Sequence, residues 1–271
     1  MKLKLTQVLP LICFWIIFAA PALSDDAPFL TTDPACVLGR GEKTIQQWIV
    51  IGHGHSDESY NSLSSQTEFD YGVTDRLQAS LILLYDWSRS HVPGSSTTTS
   101  SLVGLHGEAV WSIAKTDEAP LGIALAVDPA FNPSSRAIAI RLLFTKYMAR
   151  FENVLDINFE NNWDKDEFGH WQPSSAITFN YGLAHALDHG WTIGIELGNE
   201  VAFSSLLTQA ELNSLASSIY AGPTVQYEGS IATISVGLQA QLPFSSGSNT
   251  KNGYQTDAER LRLALRVTRA I

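Results

Sequence analysis

The stretch GHGHSDES, residues 52–59, holds the side chains of this chain that are best suited to chemistry. His53 and His55 are two residues apart, and a serine, an aspartate and a glutamate follow them. On a strand the two imidazoles would share one side and could bind a metal with a carboxylate, if the fold supplied further ligands. A hydrolase that uses His55 as its base is a second interpretation, and a solvated transition from strand to loop is a third.

The rest of the sequence lacks the motifs that mark common enzymes. It contains no GxSxG elbow, HExxH pair, P-loop or dinucleotide fingerprint. Cys36 is the one cysteine outside residues 1–24, and a lone cysteine makes neither an internal disulfide nor a redox pair. The sequence therefore predicts no catalysed reaction and no cofactor, and it keeps the hydrolase as an alternative.

The first 24 residues have the pattern of a secretory signal peptide. Two lysines precede an apolar run at residues 8–20, and Ala22-Leu23-Ser24 supplies the small residues that a signal peptidase requires before Asp25. Removal of this segment would leave 15 basic against 27 acidic residues, a net charge of −12. Such a charge does not suit nucleic-acid binding, which depends on the neutralisation of phosphates.

The remaining chain has the periodicity of strands. After residue 24 no segment reaches the about 18 apolar residues of a membrane helix, so entry into a membrane would require a closed barrel. In residues 77–87, Leu81 and Leu83 fall on one face of a strand, and Ser80 and Asp86 fall on the other. Similar alternation predicts 12 strands, at 43–53, 63–72, 77–87, 101–114, 120–128, 136–147, 153–163, 174–185, 191–200, 218–227, 231–242 and 258–271.

The connections between these strands alternate in length. Short ones, such as 73–76 and 228–230, are followed by long ones, such as 88–100 and 201–217. This pattern predicts an all-β, transmembrane up-and-down antiparallel barrel with short periplasmic turns and longer extracellular loops. A secreted soluble β-sandwich that binds a ligand is the alternative, because its sheets also have one apolar face. Aromatic residues near strand ends suit two interfacial girdles: Tyr85, Trp87, Trp111, Tyr147, Trp163, Trp191 and Tyr227.

Two segments have features of helices. Thr208 and Glu211 form a capping box, which predicts a short helix at about 209–217 in an extracellular loop. The last strand, 258–271, also contains good helix formers. Its clean alternation favours a strand that closes the barrel.

Three stretches resemble a known family of transporters. PFLTTDPACVLGRGE (28–42), TEFDYGVTDRLQASLILLY (67–85) and GPTVQYEG (222–229) are similar to the Gram-negative outer-membrane proteins grouped under the name MetA-pathway of phenol degradation. The resemblance implies an outer-membrane channel or passive transporter for a small-molecule solute, with aromatic or apolar compounds as candidates. It also implies contact with outer-membrane lipid and with the barrel assembly machinery. Many such barrels end in an aromatic residue that this machinery reads, whereas this chain ends in Ile271.

The polar faces of the predicted strands would line the lumen. Their charges could tune the selectivity of an aqueous path, or they could pair across a narrow lumen and merely fill it. Residues 25–42 form a periplasmic N-terminal segment and a candidate plug, and residues 43–271 form the barrel. The candidate lumen residues are His106, Glu108, Arg141, Asp156, Glu160, Glu196, Arg260, Arg262 and Arg266.

Overall fold

The computed structural model describes residues 28–54, 59–92, 94–204, 214–244, 246–247, 250–251, 254–255 and 259–271. The predicted signal peptide, His55 and most of the predicted 209–217 helix lie outside these ranges. Within them, no helix is long and apolar enough to cross a membrane. The strands are β1 (Lys43–His53), β2 (Ser59–Thr74), β3 (Leu77–Val92), β4 (Ser95–Ala114), β5 (Gly122–Phe131), β6 (Ser135–Met148), β7 (Phe151–Lys165), β8 (Trp171–Ala186), β9 (Trp191–Phe203), β10 (Ser214–Glu228), β11 (Thr233–Gln241), β12 (Ser246–Gly247), β13 (Thr250–Lys251), β14 (Tyr254–Gln255) and β15 (Leu261–Ala270).

Twelve of these strands, β1–β11 and β15, form one closed antiparallel barrel. Each strand from β1 to β10 pairs with the next one in the chain, and β10 pairs with β11. β15 lies between β11 and β1 and closes the ring, with Thr44 opposite Ala270 and Ile271 N donating to Lys43 O at 3.0 Å. The predicted barrel is therefore confirmed, and the described strands do not form the two packed sheets of a sandwich.

Most of the large apolar side chains of the strands lie on the outside of the barrel. On β3, Leu81 and Leu83 are 51% and 45% exposed, whereas Ser80, which precedes Leu81 and has the opposite phase, is buried. On β5, Ala124 and Ala126 face inward and are fully buried. An apolar exterior and a more polar interior are what a sheet surrounded by lipid requires. At the end with the short turns, the Trp191 and Tyr227 rings pack with centroids 4.8 Å apart, as expected of a girdle.

Strands β2–β10 are longer than predicted on the side of the long connections, whereas β15 begins at Leu261, later than predicted. β3 continues to Val92 and β4 begins at Ser95, so most of the predicted loop at 88–100 is strand. Ser88 and Thr99 are register partners there, and their hydroxyls lie 2.7 Å apart. The predicted helix at 209–217 is wrong for residues 214–217, because they belong to β10. The strand prediction for the C-terminus is confirmed.

Candidate functional site: the barrel lumen

The N-terminal segment, defined here as residues 28–41, lies within the barrel. Phe29 is fully buried and packs with Val154 of β7 and Ala184 of β8. Gly182 makes room for its ring, because a Cβ at that position would lie 2.6 Å from Phe29. A Cβ on Gly237 of β11 would overlap Leu30 in the same way. The wall of the barrel is thus shaped to accept the apolar side chains of this segment.

A buried carboxylate on β9 holds the start of the segment. Glu196 Oε1 accepts hydrogen bonds from the backbone N–H groups of Leu30 and Thr31, at 3.0 and 2.9 Å. The hydroxyls of Thr31 and Thr32 donate to the same oxygen at 3.1 Å, and Gln239 Nε2 donates to Oε2 at 3.1 Å. Because the carboxylate of Glu196 is fully buried, these donors replace the water that it would otherwise bind.

Further contacts fasten the segment across the lumen. Ala35 N donates to Thr145 Oγ1 on β6 at 2.7 Å, and Leu38 N donates to Gln78 Oε1 on β3 at 3.0 Å. Gln78 on β3 lies on the opposite side of the 12-stranded ring from Glu196 on β9, and Thr145 on β6 lies midway between them. The segment therefore crosses the interior rather than following one wall.

Arg141 of β6 is the centre of an ion cluster inside the barrel. Its guanidinium pairs with Asp33 of the N-terminal segment, with Glu108 at 3.1 Å and with Asp156 at 2.8 Å. Asp128 lies 4.0 Å away. The side chain of Asp156 is 2% exposed, and that of Arg141 is 14% exposed. Glu108, Arg141 and Asp156 were all candidate lumen residues, and the fold brings them together.

A cavity of about 740 Å³ lies between the N-terminal segment and the wall formed chiefly by β1–β8. Nine carboxylates and two arginines of the described residues line it. His106 and Glu160 are among the lining residues, and Glu160 accepts a hydrogen bond from Asn162 Nδ2 at 2.8 Å. The acidic members are Asp33, Glu42, Glu68, Asp70, Glu108, Asp128, Asp156, Glu160 and Glu228, and the basic members are Arg141 and Arg266.

The candidate arginines Arg262 and Arg266 of β15, and Arg260 just before it, lie at different depths in the barrel. Arg266 is 3% exposed, lies over the Trp48 ring at 5.1 Å and approaches Asp33 to 3.9 Å. Arg262 pairs with Glu259 at 3.1 Å and lies over the Tyr220 ring at 3.9 Å. Arg260 lies at the rim, where its N–H donates to Gly54 O at 2.8 Å. Arg266 therefore lies beside the ion cluster of Arg141 and Asp33 inside the barrel, whereas Arg260 lies at the rim.

Glu259, just before β15, is the carboxylate that pairs with Arg262. Burial raises the pKa of its carboxyl, but the Arg262 guanidinium and a hydrogen bond from Ser62 outweigh burial and leave this pKa below its ordinary value. The Ser62 hydroxyl donates to Glu259 Oε1 at 3.0 Å. Glu259 is thus an ionised partner for Arg262 at neutral pH.

Several lumen residues were not predicted from the sequence. Asp70 of β2 is fully buried, and it accepts hydrogen bonds from Thr44 Oγ1 at 2.7 Å and Ser80 Oγ at 2.6 Å. Glu68, on the same face of β2, and Trp48 of β1 also line the cavity. Glu68 and Asp70 could have been assigned to the lumen from the sequence, because they lie on the polar face of β2. Trp48 could not, because it faces inward, whereas aromatic side chains of such barrels usually lie outside.

The histidines at the rim remain apart from this cluster. His53 is exposed, and its Nδ1 lies 2.9 Å from Asn61 Oδ1. His55 is outside the described residues, so the metal and hydrolase interpretations stay predictions. In the described part of the chain, no three His, Cys, Asp or Glu side chains form a group that could hold a metal.

Comparisons with known proteins support the architecture. A family described as being of unknown function, DUF6662, matches residues 21–137, and no curated protein matches the chain. The COG4313 outer membrane channel from Pseudomonas putida F1 is similar in structure, with 12% identity over 90% of this chain and 100% of that chain and a TM-score of 0.65. The NanC porin has 8% identity over 82% of this chain and 97% of that chain, with a TM-score of 0.51.

At these identities the likeness is one of fold. The chain has the fold of outer-membrane β-barrels. The family name suggested by the sequence motifs stays a prediction.

Proposed function

We propose that this chain is an outer-membrane channel for small solutes. The observation that carries the proposal is the combination of a closed barrel, an apolar outer face and a polar cavity of about 740 Å³ inside it. A sheet with this exterior is stable in a bilayer, and its interior offers a path that lipid cannot. The fold shared with the COG4313 outer membrane channel supports the same proposal.

The lining of the cavity favours polar or positively charged solutes over aromatic or apolar ones. Nine carboxylates against two arginines give a formal excess of seven negative charges. Both arginines are already engaged, because Arg141 pairs with three carboxylates and Arg266 approaches Asp33. A charged ring or lining of one sign attracts the opposite ion and repels its own.

The N-terminal segment makes this proposed path narrow. It crosses the interior from Glu196 of β9 to Gln78 of β3, and the cavity lies against it. We therefore expect small conductance steps rather than those of a wide porin. The expected partners are the lipid around the barrel and the barrel assembly machinery.

Planar-bilayer recordings test the proposal. The purified, folded chain is expected to give steady single-channel steps that change when Glu160 or Arg262 is neutralised as Glu160→Gln or Arg262→Gln. Arg150→Gln is the matched control, because Arg150 is exposed at the turn rim, where it pairs with Asp188 at 3.1 Å. A correctly inserted barrel that never conducts would contradict the proposal.

Cell fractionation tests the location. The chain is expected in the outer-membrane fraction of a Gram-negative host. Recovery in the periplasmic extract or the culture supernatant would instead favour a secreted binding protein.

A further inference from the structure

Two cations share one indole ring on the outward face of β6–β8. The guanidinium carbon of Arg136 lies 4.6 Å from the centroid of the Trp171 ring, and Lys165 Nζ lies 4.8 Å from it. Their charges are therefore at most 9.4 Å apart, the sum of the two distances. Lys165 and Trp171 are register partners on β7 and β8, and both Arg136 and Lys165 are exposed.

These cations lie just beyond the apolar band of the barrel. Arg136 has the outward phase of Ile138 and Ile140 on β6, which are 37% and 44% exposed. β6 begins at Ser135 and β7 ends at Lys165, so both cations are at the opposite end of the barrel from the two-residue turn that joins these strands. In an outer-membrane barrel such turns face the periplasm, so the end that carries the two cations is the extracellular end. The pair is thus at the level of the outer-leaflet headgroups.

No carboxylate of the described residues forms an ion pair with Arg136 or Lys165. Lys165 Nζ donates to Pro133 O at 2.8 Å. The nearby Asp166 is already engaged by its own loop, because its carboxylate accepts hydrogen bonds from the N–H of His170 at 2.8 Å and of Phe168 at 2.9 Å. Those bonds, the one from His170 first, lower the pKa of Asp166.

The arrangement favours an anion. Two like charges held near one ring repel each other, and the π-face of Trp171 attracts both without neutralising either. A group with several acceptor oxygens would bind both cations at once, as phosphate does with arginine and lysine. The position beside the apolar band means that such a group would arrive attached to a lipid.

We infer that Arg136, Lys165 and Trp171 form a binding site for the phosphate groups of a glycolipid in the outer leaflet, of the lipid A type. The inference rests on the proposed outer-membrane location. The acyl chains would lie along Ile138 and Ile140, and the phosphate would bridge the two cations. Free phosphate has no such apolar contact, so the lipid is the expected ligand.

Binding of lipid A to the purified, folded chain in neutral detergent tests the inference. The dissociation constant is measured by native mass spectrometry for wild type, for the double variant Arg136→Gln/Lys165→Gln and for Arg150→Gln. Arg150 provides the control because it is an exposed arginine at the opposite rim. Heat-dependent migration on gels confirms that each variant is folded. If the double variant does not fold, Lys165→Gln alone takes its place and is expected to show an intermediate loss.

The double variant is expected to bind bisphosphorylated lipid A about tenfold more weakly or worse, with Arg150→Gln unchanged. Enzymatically dephosphorylated lipid A should bind wild type as weakly as the intact lipid binds the double variant. Equal binding by the double variant, or equal weakening in Arg150→Gln, would overturn the site. Inorganic phosphate binding as tightly as the lipid would overturn the lipid assignment.

The channel proposal is judged separately. Because both cations face outward, the double variant should conduct as wild type does. If the double variant conducts normally and binds lipid A as tightly as wild type, the glycolipid site alone is contradicted. If the wild-type barrel binds lipid A but does not conduct, the channel alone is contradicted.

Discussion

Glu196 on β9 accepts a hydrogen bond from the backbone N–H of Thr31 at 2.9 Å, and this contact ties the N-terminal segment to the wall of the barrel. The same oxygen accepts three more bonds from Leu30, Thr31 and Thr32. Hydrogen bonds to a buried charge contribute about 1.5–3 kcal/mol each, so this carboxylate is a main attachment point.

Replacement of Glu196 by alanine should therefore loosen residues 28–32. Hydrogen exchange of the amides of Leu30 and Thr31 is expected to become at least about tenfold faster, measured by mass spectrometry on the folded barrel. Glu118→Gln is the control, because Glu118 forms an exposed ion pair with Arg76 at the turn rim. If these amides exchange no faster in Glu196→Ala than in wild type, contacts other than those of Glu196 hold residues 28–32 in place.

Gly182 offers a second way to displace the segment. Gly182→Val is expected to push Phe29 from its place, since even a Cβ there would lie 2.6 Å from the ring. Cys36, which is half-buried and lines the cavity, then becomes a reporter in a chain that lacks residues 1–24. Its alkylation by a hydrophilic maleimide should be several-fold faster than in wild type.

Gly107→Ala is the control for this substitution. A Cβ on Gly107 would meet only Ser80 O, at 4.0 Å. The alkylation rate of Cys36 should stay at the wild-type value. Equal rates in all three proteins would contradict the proposed fit of Phe29 against β8.

Arg141 should matter for stability as well as for charge. Arg141→Met leaves Glu108, Asp128 and Asp156 close together without their cation. Removal of one partner from a buried ion cluster costs about 3–5 kcal/mol, whereas loss of an exposed pair costs about 0–1 kcal/mol. Urea unfolding in lipid vesicles should therefore show a large decrease in the free energy of unfolding for Arg141→Met and a small decrease for Arg76→Gln. Similar decreases in both variants would show that the ion cluster around Arg141 stabilises the barrel no more than an exposed ion pair does.

The fold was predictable where lipid imposes a pattern on the strands. β1 has the predicted bounds, and the outward phase of β3 was predicted correctly, because an apolar exterior requires every second residue to be apolar. Beyond the apolar band this requirement ends. The serine-rich and threonine-rich ends of β3 and β4 look like loop in the sequence, although backbone hydrogen bonds continue between them.

The phase of each strand indicated which residues face the lumen, but it did not indicate which of these residues contact one another. Glu108, Arg141 and Asp156 were assigned to the interior from their phase. Asp33 belongs to the candidate plug, but its pairing with Arg141 was not predicted, because the segment is irregular and has no periodicity that indicates where each side chain points. The four bonds that Glu196 makes to residues 30–32 depend on the same long-range contact.

The central claim is a conducting barrel whose acidic lumen selects cations. The most direct measurement is the reversal potential of single channels under a KCl gradient in a planar bilayer. With nine carboxylates against two arginines around the cavity, the potential is expected to have the sign of potassium selectivity and to move toward zero in Glu160→Gln. A reversal potential of the opposite sign, or a folded and inserted barrel without conductance, would contradict the account.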